Sequence, residues 1–295
     1  MAGCTACNVC KTPGTLESAV ERQRVPSNVR EFKDAIFTVW RCTGCGSLHS
    51  AEDVDLATYY RDYPLHRLDP NDHSLMTRVC SNNQLGILTR QGIKRSGRIL
   101  DYGCGAGKFV QFLNGKGYTE SSGYDPYVPA HAGRRALDER YDAVVTWDVI
   151  EHVEDPREFM RTVAGLLLPG GLLVVGTPNA DHISLETASP LGIPELHQPY
   201  HRHVLSEEAL LQLGREQGLR SSLRLYRSWA DSPYPFVNER FVWAYFDKLG
   251  GYLDALFDTT IPAPAVWRSP GLLFKAFFGY FLPARRNMIL SFRAG

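Results

Sequence analysis

The stretch Arg98-Ile-Leu-Asp-Tyr-Gly-Cys-Gly-Ala-Gly-Lys108 limits the fold more than any other part of the chain. An apolar run leads into glycines at 103, 105 and 107, and Phe109-Val-Gln-Phe-Leu113 then resumes at helical spacing. A strand, a turn without side chains and a helix, in that order, build a parallel α/β unit. Its backbone N–H groups at the helix start face a ligand at the carboxyl end of the strand. Alone, a G-x-G-x-G turn is weak. Here a second strand would end in Ser122-Gly-Tyr-Asp125, whose carboxylate can accept both hydroxyl hydrogens of a ribose. At 295 residues, 44% apolar and 22% charged, the chain has room for one such domain with a sizeable core and a small satellite.

Further along, Tyr141 to Trp147 has the composition of a buried strand, and Asp148-Val-Ile-Glu151-His152 opens the turn or helix after it. Leu168-Pro-Gly-Gly-Leu-Leu-Val-Val-Gly-Thr-Pro-Asn179 supplies the next strand. With Leu100 to Gly107 and Gly123-Tyr-Asp125, these segments resemble the class I S-adenosylmethionine-dependent methyltransferases, in the group that includes the ubiquinone-biosynthesis O-methyltransferases. The resemblance covers roughly residues 95 to 228 and the last strand. It implies a Rossmann-like, doubly wound α/β sheet and S-adenosylmethionine as cofactor. Asp101 and Gly103, Cys104, Gly105 and Gly107 would hold the methionine part and Asp125 the ribose, with Tyr102 and Pro126 in the same set. Only 15 residues separate Asp125 from Tyr141, where the family fits a helix, a third strand and an adenine-contacting acid. That strand is predicted to be missing, and Trp147 and Asp148 become the candidates for the adenine side. A dehydrogenase shares the strand-end acid but not the run from Asp148 to His152.

On a helix, Asp148, Glu151 and His152 would share one face at the ligand-binding edge of the sheet. Three readings compete. The resemblance implies a divalent-metal role for such a run; His152 is a candidate general base because imidazole titrates near working pH; or the residues are structural. In Glu195-Leu-His-Gln-Pro-Tyr-His-Arg-His203, His197, His201 and His203 form either a metal site or a loop over the methyl group with one member as base. The catalytic candidates are His201 first, then His152, Glu151 and His203, with His182 a weaker one. Tyr60 and Tyr63 either line a substrate entrance or pack between modules.

Cys4, Cys7 and Cys10 precede a strand-like Ile36-Phe-Thr-Val-Trp40 and then Cys42-Thr-Gly-Cys45. Two C-x2-C turns suit Zn2+, which takes four thiolates in a tetrahedron. We assign Cys7, Cys10, Cys42 and Cys45, with Cys4 a substitute for one of them; free or redox thiols are the alternative. Four ligands leave no place for water, so the ion would be structural.

The spacing predicts a zinc ribbon over 1–50, a helical connector over 51–95, a cofactor-binding core over 96–228, an aromatic helical cap over 229–283 and a last core strand over 284–295. In the connector, Val54 to Gln91 reads as helical, broken at Pro64 and Pro70, with Leu56, Leu75, Met76, Val79, Ile87 and Leu88 as its apolar positions. Ser206 is a predicted helix cap, and Leu223–Tyr226 and Met288–Phe292 are the predicted last strands.

Lys and Arg number 32 and so do Asp and Glu, a neutral balance that argues against a nucleic-acid partner. The opening residues lack a basic start followed by an apolar run, which predicts a cytoplasmic protein. Leu272 to Leu282 is apolar but shorter than the about 20 residues that span a bilayer. It docks on a membrane surface, covers an apolar or lipid-linked acceptor, packs on the core, or joins a homodimer; Arg285 and Arg286 favour a nearby anionic group. The function these readings predict is O- or C-methylation of a small molecule of a natural-product or polysaccharide pathway, with a histidine removing the acceptor's proton. The alternatives are a zinc-ribbon RNA methyltransferase and a non-catalytic cofactor-binding or interaction protein.

Overall fold

The computed structural model describes residues 7–13, 16–19, 21–52, 54–55, 59–60, 63, 74–186 and 193–295. Cys4, Leu56, Pro64 and Pro70 lie outside the described residues. The chain begins with strands β1 (Arg22–Pro26), β2 (Ile36–Arg41) and β3 (Leu48–Ser50) and helix α1 (Leu75–Arg90). The core follows as β4 (Ile99–Tyr102), α2 (Lys108–Gly115), β5 (Ser121–Tyr124), β6 (Tyr141–Trp147), α3 (Pro156–Gly165) and β7 (Leu167–Pro178). Next come β8 (His203–Val204), α4 (Glu207–Glu216), β9 (Arg220–Leu225) and the helices α5 (Glu239–Lys248), α6 (Ala255–Asp258), α7 (Ala263–Trp267) and α8 (Pro270–Phe278), before β10 (Asn287–Arg293).

Six strands form one sheet in the order β5-β4-β6-β7-β10-β9. The first four are parallel, and β10 runs antiparallel to both β7 and β9. Central strands covered on both faces need apolar side chains at every position, which is why Ala143, Val144 and Val145 and the run Leu172 to Val175 are fully buried. This is the expected Rossmann-like α/β class. Residues 125–140 hold a 3-10 turn at Arg134–Leu137 and no strand, so β5 is the sheet edge and the third strand is missing as predicted.

The amino-terminal module is an antiparallel sheet in the order β1-β2-β3-β8. Its fourth strand comes from far along the chain: Leu48 pairs with Val204 and His49 with His203. Ser206 caps α4 by accepting from the Ala209 N–H, and its hydroxyl donates to the Cys45 carbonyl at 2.6 Å, pinning the helix start to the cysteine turn. In α1, Val79, Ile87 and Leu88 are buried as expected, whereas Leu75 and Met76, in its first turn, are exposed. The cap packs through Phe241 and Ala244 of α5 against Leu272 and Ala276 of α8. Asn238 ties the two helices: its Oδ1 accepts from the Phe241 N–H and its Nδ2 donates to the carbonyls of Lys275 and Ala276.

Candidate functional site

Strand β4 delivers Asp101 to the carboxyl edge of the sheet, and the glycine turn follows at once. Gly103 has φ +83°, and a Cβ there would lie 2.3 Å from a Val149 methyl, so only glycine fits. Gly105 also has positive φ, but a Cβ there would meet nothing within 4 Å: its bare face looks into open cavity. Asp125 at the tip of β5 clamps the turn, Oδ2 accepting from the Gly105 N–H at 3.0 Å and Oδ1 from the Tyr127 N–H at 2.9 Å. Burial, reinforced by the Asp125 charge, pushes the Asp101 carboxyl up to about 7.

Two cavities, of about 610 and 640 Å3, meet at Gly103, Gly105, Trp147 and Trp229. The first runs from Tyr102, Asp125, Pro126 and Tyr127 at one end to Glu151, His152, His197 and His201 at the other. The second is bounded by Asp101 and Cys104 below and by Phe236, Phe241 and Tyr245 of the cap above. Gly107 starts α2 in the left-handed conformation, its face closed by the His131 ring. Of the residues proposed for the adenine side, Trp147 lies between the cavities and Asp148 is occupied by an indole, Trp229 Nε1–H donating to its Oδ2 at 2.8 Å. The rings beside Asp125 are instead Tyr102 and Tyr127.

Asp148, Glu151 and His152 do not form one helical face. Asp148 takes φ 52°, the segment to Asp155 is a turn, and helix begins only at Pro156. His201 replaces Asp148 in the cluster: ligand atoms of Glu151, His152 and His201 lie within 4.8 Å of one another, a donor set that can hold a cation. The His152 and His201 rings meet edge to face at 4.6 Å, and His197 lies 5.3 Å from His201. His201 Nδ1 is 2.7 Å from the Glu195 carbonyl, which can only accept; Nδ1 therefore carries the proton and Nε2 presents a lone pair. Asn28 Oδ1 does the same for His197 Nδ1 at 2.7 Å. Burial pushes His201 down to about 4, and burial with the neighbouring imidazoles drives His152 and His197 well below the ordinary range. The Glu151 carboxyl is pushed well above its usual range by burial and by Asp148; Oε2 accepts from the Thr177 hydroxyl at 3.0 Å and Oε1 has no partner.

His203 stands elsewhere. Strand pairing sets its ring between the two modules: Nε2 donates to the Val153 carbonyl of the core at 2.8 Å, and Nδ1 lies 3.4 Å from His49 Nδ1 of the amino-terminal module. It lines neither cavity. His182 is exposed at the end of a short 3-10 turn. Tyr60 and Tyr63 are buried in the wall of the first cavity, Tyr60 stacked on Tyr127 with ring centroids 4.4 Å apart. Sequence reasoning missed Glu195 as a site residue. It is buried, its oxygens make no hydrogen bond, burial pushes it to about 7, and Arg286 approaches to 3.7 Å. Glu195 is thus an acid of the chain itself beside Arg286.

The amino-terminal module holds the histidine loop directly. Ser27 donates to the Gln198 carbonyl at 2.8 Å, Ser50 to Gln198 Oε1 at 2.9 Å, and Gln198 Nε2 to the His201 carbonyl at 2.8 Å. Behind it, the sulfurs of Cys7, Cys10, Cys42 and Cys45 lie within 4.8 Å of one another. Cys7 and Cys45 are 3.8 Å apart and Cys10 and Cys42 3.7 Å. A zinc–sulfur bond of about 2.3 Å puts the edge of a thiolate tetrahedron at roughly 3.8 Å, so the donor set fits Zn2+. Gly44 N–H donates to the Cys42 sulfur at 3.3 Å. The nucleoside side also fits its implied group: Gly105 is bare, and the buried Trp147 Nε1 at the junction of the cavities lacks a partner.

Residues 75–221 match the model of the methyltransferase-domain family. A ubiquinone biosynthesis O-methyltransferase from Caulobacter sp. strain K31 is 36% identical over 103 residues, 28% of this chain and 41% of that protein. One from Bradyrhizobium sp. strain ORS 278 is 30% identical over 184 residues, 55% of this chain and 66% of that protein. The chain therefore spans between 41% and 66% of the length of these two curated relatives. Among solved structures, the N-methyltransferase NodS from Bradyrhizobium japonicum WM9, in complex with S-adenosyl-L-homocysteine, is similar with a TM-score of 0.45 at 16% identity, covering 81% of this chain and 99% of that one.

Proposed function

Residues 75–221 are a methyltransferase domain, and from that premise we propose that the chain methylates a hydroxyl of a small molecule, with S-adenosylmethionine as donor and His201 as the base. One observation carries this reading: the cavity that begins at the glycine turn and Asp125 ends at the open Nε2 of His201. The relatives named as O-methyltransferases support oxygen as the acceptor atom.

When bound, S-adenosylmethionine supplies an already activated methyl group. The chain's work is placement, and alignment of reacting groups can contribute about 7–11 kcal/mol. Asp125 would accept from the ribose hydroxyls, bare Gly105 would admit the adenosyl group, and the Asp101 carboxylate would face an amino group. Tyr60, Tyr63 and Tyr127 wall off water. The Glu195 carbonyl fixes the His201 tautomer, so that Nε2 takes the acceptor's proton. In the amino-terminal module we assign a structural Zn2+ to Cys7, Cys10, Cys42 and Cys45; four sulfurs close its coordination and leave no place for substrate.

Incubation with methyl-labelled donor and a panel of phenolic, sugar-nucleotide and lipid-linked alcohols tests the reading. Label should appear in an ether product, and His201→Ala should lower turnover by about 10²–10⁴ while donor affinity persists. Undiminished turnover in that variant would remove His201 from the role of base, and absence of any label would overturn the transferase reading.

A further inference from the structure

Helix α8 has two apolar sides. At about 3.6 residues per turn, Leu272 and Ala276 share the face packed on α5, and they are 4% and 1% exposed. On the opposite side stand Phe274, Phe277 and Phe278, joined by Phe281 in the following 3-10 turn, with exposures of 53%, 42%, 55% and 71%. Trp267, 59% exposed, extends the stripe, since the Phe236 ring touches both Trp267 and Phe277. A helix on a protein surface ordinarily turns polar residues away from its core; this one turns phenylalanines to solvent.

The segment that carries the stripe has charge of one sign. Residues 259–295 contain no Asp or Glu but five cations, Arg268, Lys275, Arg285, Arg286 and Arg293, in a chain whose total charge balances. Arg286 is engaged by Glu195, while Arg268, next in the chain to Trp267, and Arg285, four residues past Phe281, are exposed. A second copy meeting this face about a two-fold axis would set these cations against their own images, with no acid in the segment to pair them. Anionic headgroups supply the missing charge, and an aromatic helix face sits at the headgroup boundary.

We propose that the stripe of Trp267, Phe274, Phe277, Phe278 and Phe281, with its flanking arginines, docks the protein on the surface of an anionic lipid bilayer. The contact is peripheral: among the described residues no helix is long and apolar enough to cross a membrane. Beneath α8, Phe241 and Tyr245 line the second cavity, so docking sets that cavity beside the lipid. The stripe would bind lipid whatever reaction the chain performs.

The test is flotation of the full chain with vesicles of phosphatidylcholine alone and of phosphatidylcholine mixed with phosphatidylglycerol. Binding should be confined to the anionic vesicles and weaken with salt. Phe274→Ser/Phe278→Ser/Phe281→Ser and, separately, Arg268→Glu/Arg285→Glu should each weaken partition about tenfold or more, with circular dichroism unchanged. No flotation, or flotation indifferent to both sets of substitutions, overturns the proposal. A dimer in sedimentation velocity that the aromatic substitutions abolish, without vesicle binding, hands the stripe to a second copy instead.

Discussion

Asp101→Asn separates what the buried carboxylate costs the fold from what it does for a ligand. Asp101 is 4% exposed, and burial, with Asp125 second, raises its carboxyl from 3.8 to about 7. Between these values the unfolded chain has released the proton and the folded chain keeps it, so the native state binds more protons and stability falls as pH rises. Three units at about 1.36 kcal/mol each put the full penalty at about 4 kcal/mol above pH about 7. Asparagine has nearly the same shape and never ionises. The variant should therefore gain on the wild type as pH rises, the gap widening by about 3 kcal/mol between pH about 5 and about 8. Urea unfolding of both proteins across that interval reads the gap directly, and other buried acids cancel in the difference. Calorimetry with S-adenosylhomocysteine at pH about 8 should show the converse, a loss of about 10- to 100-fold in affinity, the size of a charge-assisted hydrogen bond. A gap that stays flat across the interval would refute the claim that burial holds the proton on Asp101, and unchanged affinity would refute its place at the cofactor.

Gly105→Ala should cost about 1 kcal/mol through its positive φ, seen as a lower melting temperature, and should abolish donor binding because the methyl group enters the open cavity. Cys42→Ser should remove one equivalent of zinc by mass spectrometry and lower the melting temperature, whereas a metal-free wild type of equal stability would sink the assignment. His203→Ala should destabilise by about 1 kcal/mol, since the half-buried Val153 carbonyl loses its donor, yet leave turnover per folded molecule unchanged.

Much of the core was legible because its signals are local. The glycine turn, the strand-end Asp125 and the shortness of the segment before Tyr141 each lie within a few residues, and the sheet follows them. Of the turn or helix expected from Asp148 to His152, the turn is what forms: any acid-apolar-apolar-acid-histidine run matches helical spacing, but Asp148 sits in the left-handed region at the end of β6. A better signal lay downstream in Asp155-Pro156, a capping residue before a proline at the first helical position, which is where α3 begins. The placement of His203 and the pairing of Glu195 with Arg286 had no local signal, because each depends on segments far apart in the chain. The same holds for the module boundary near residue 50, which the strand His203–Val204 crosses.

That two-residue strand, with Ser27, Asn28 and Ser50, gives the amino-terminal module custody of the loop bearing His197 and His201. The cysteine knuckle is therefore a foundation of the histidine-lined cavity rather than an ornament bolted beside it. Grafting the Rossmann half alone onto another protein should yield something that still grips a nucleoside but has mislaid its proton acceptor.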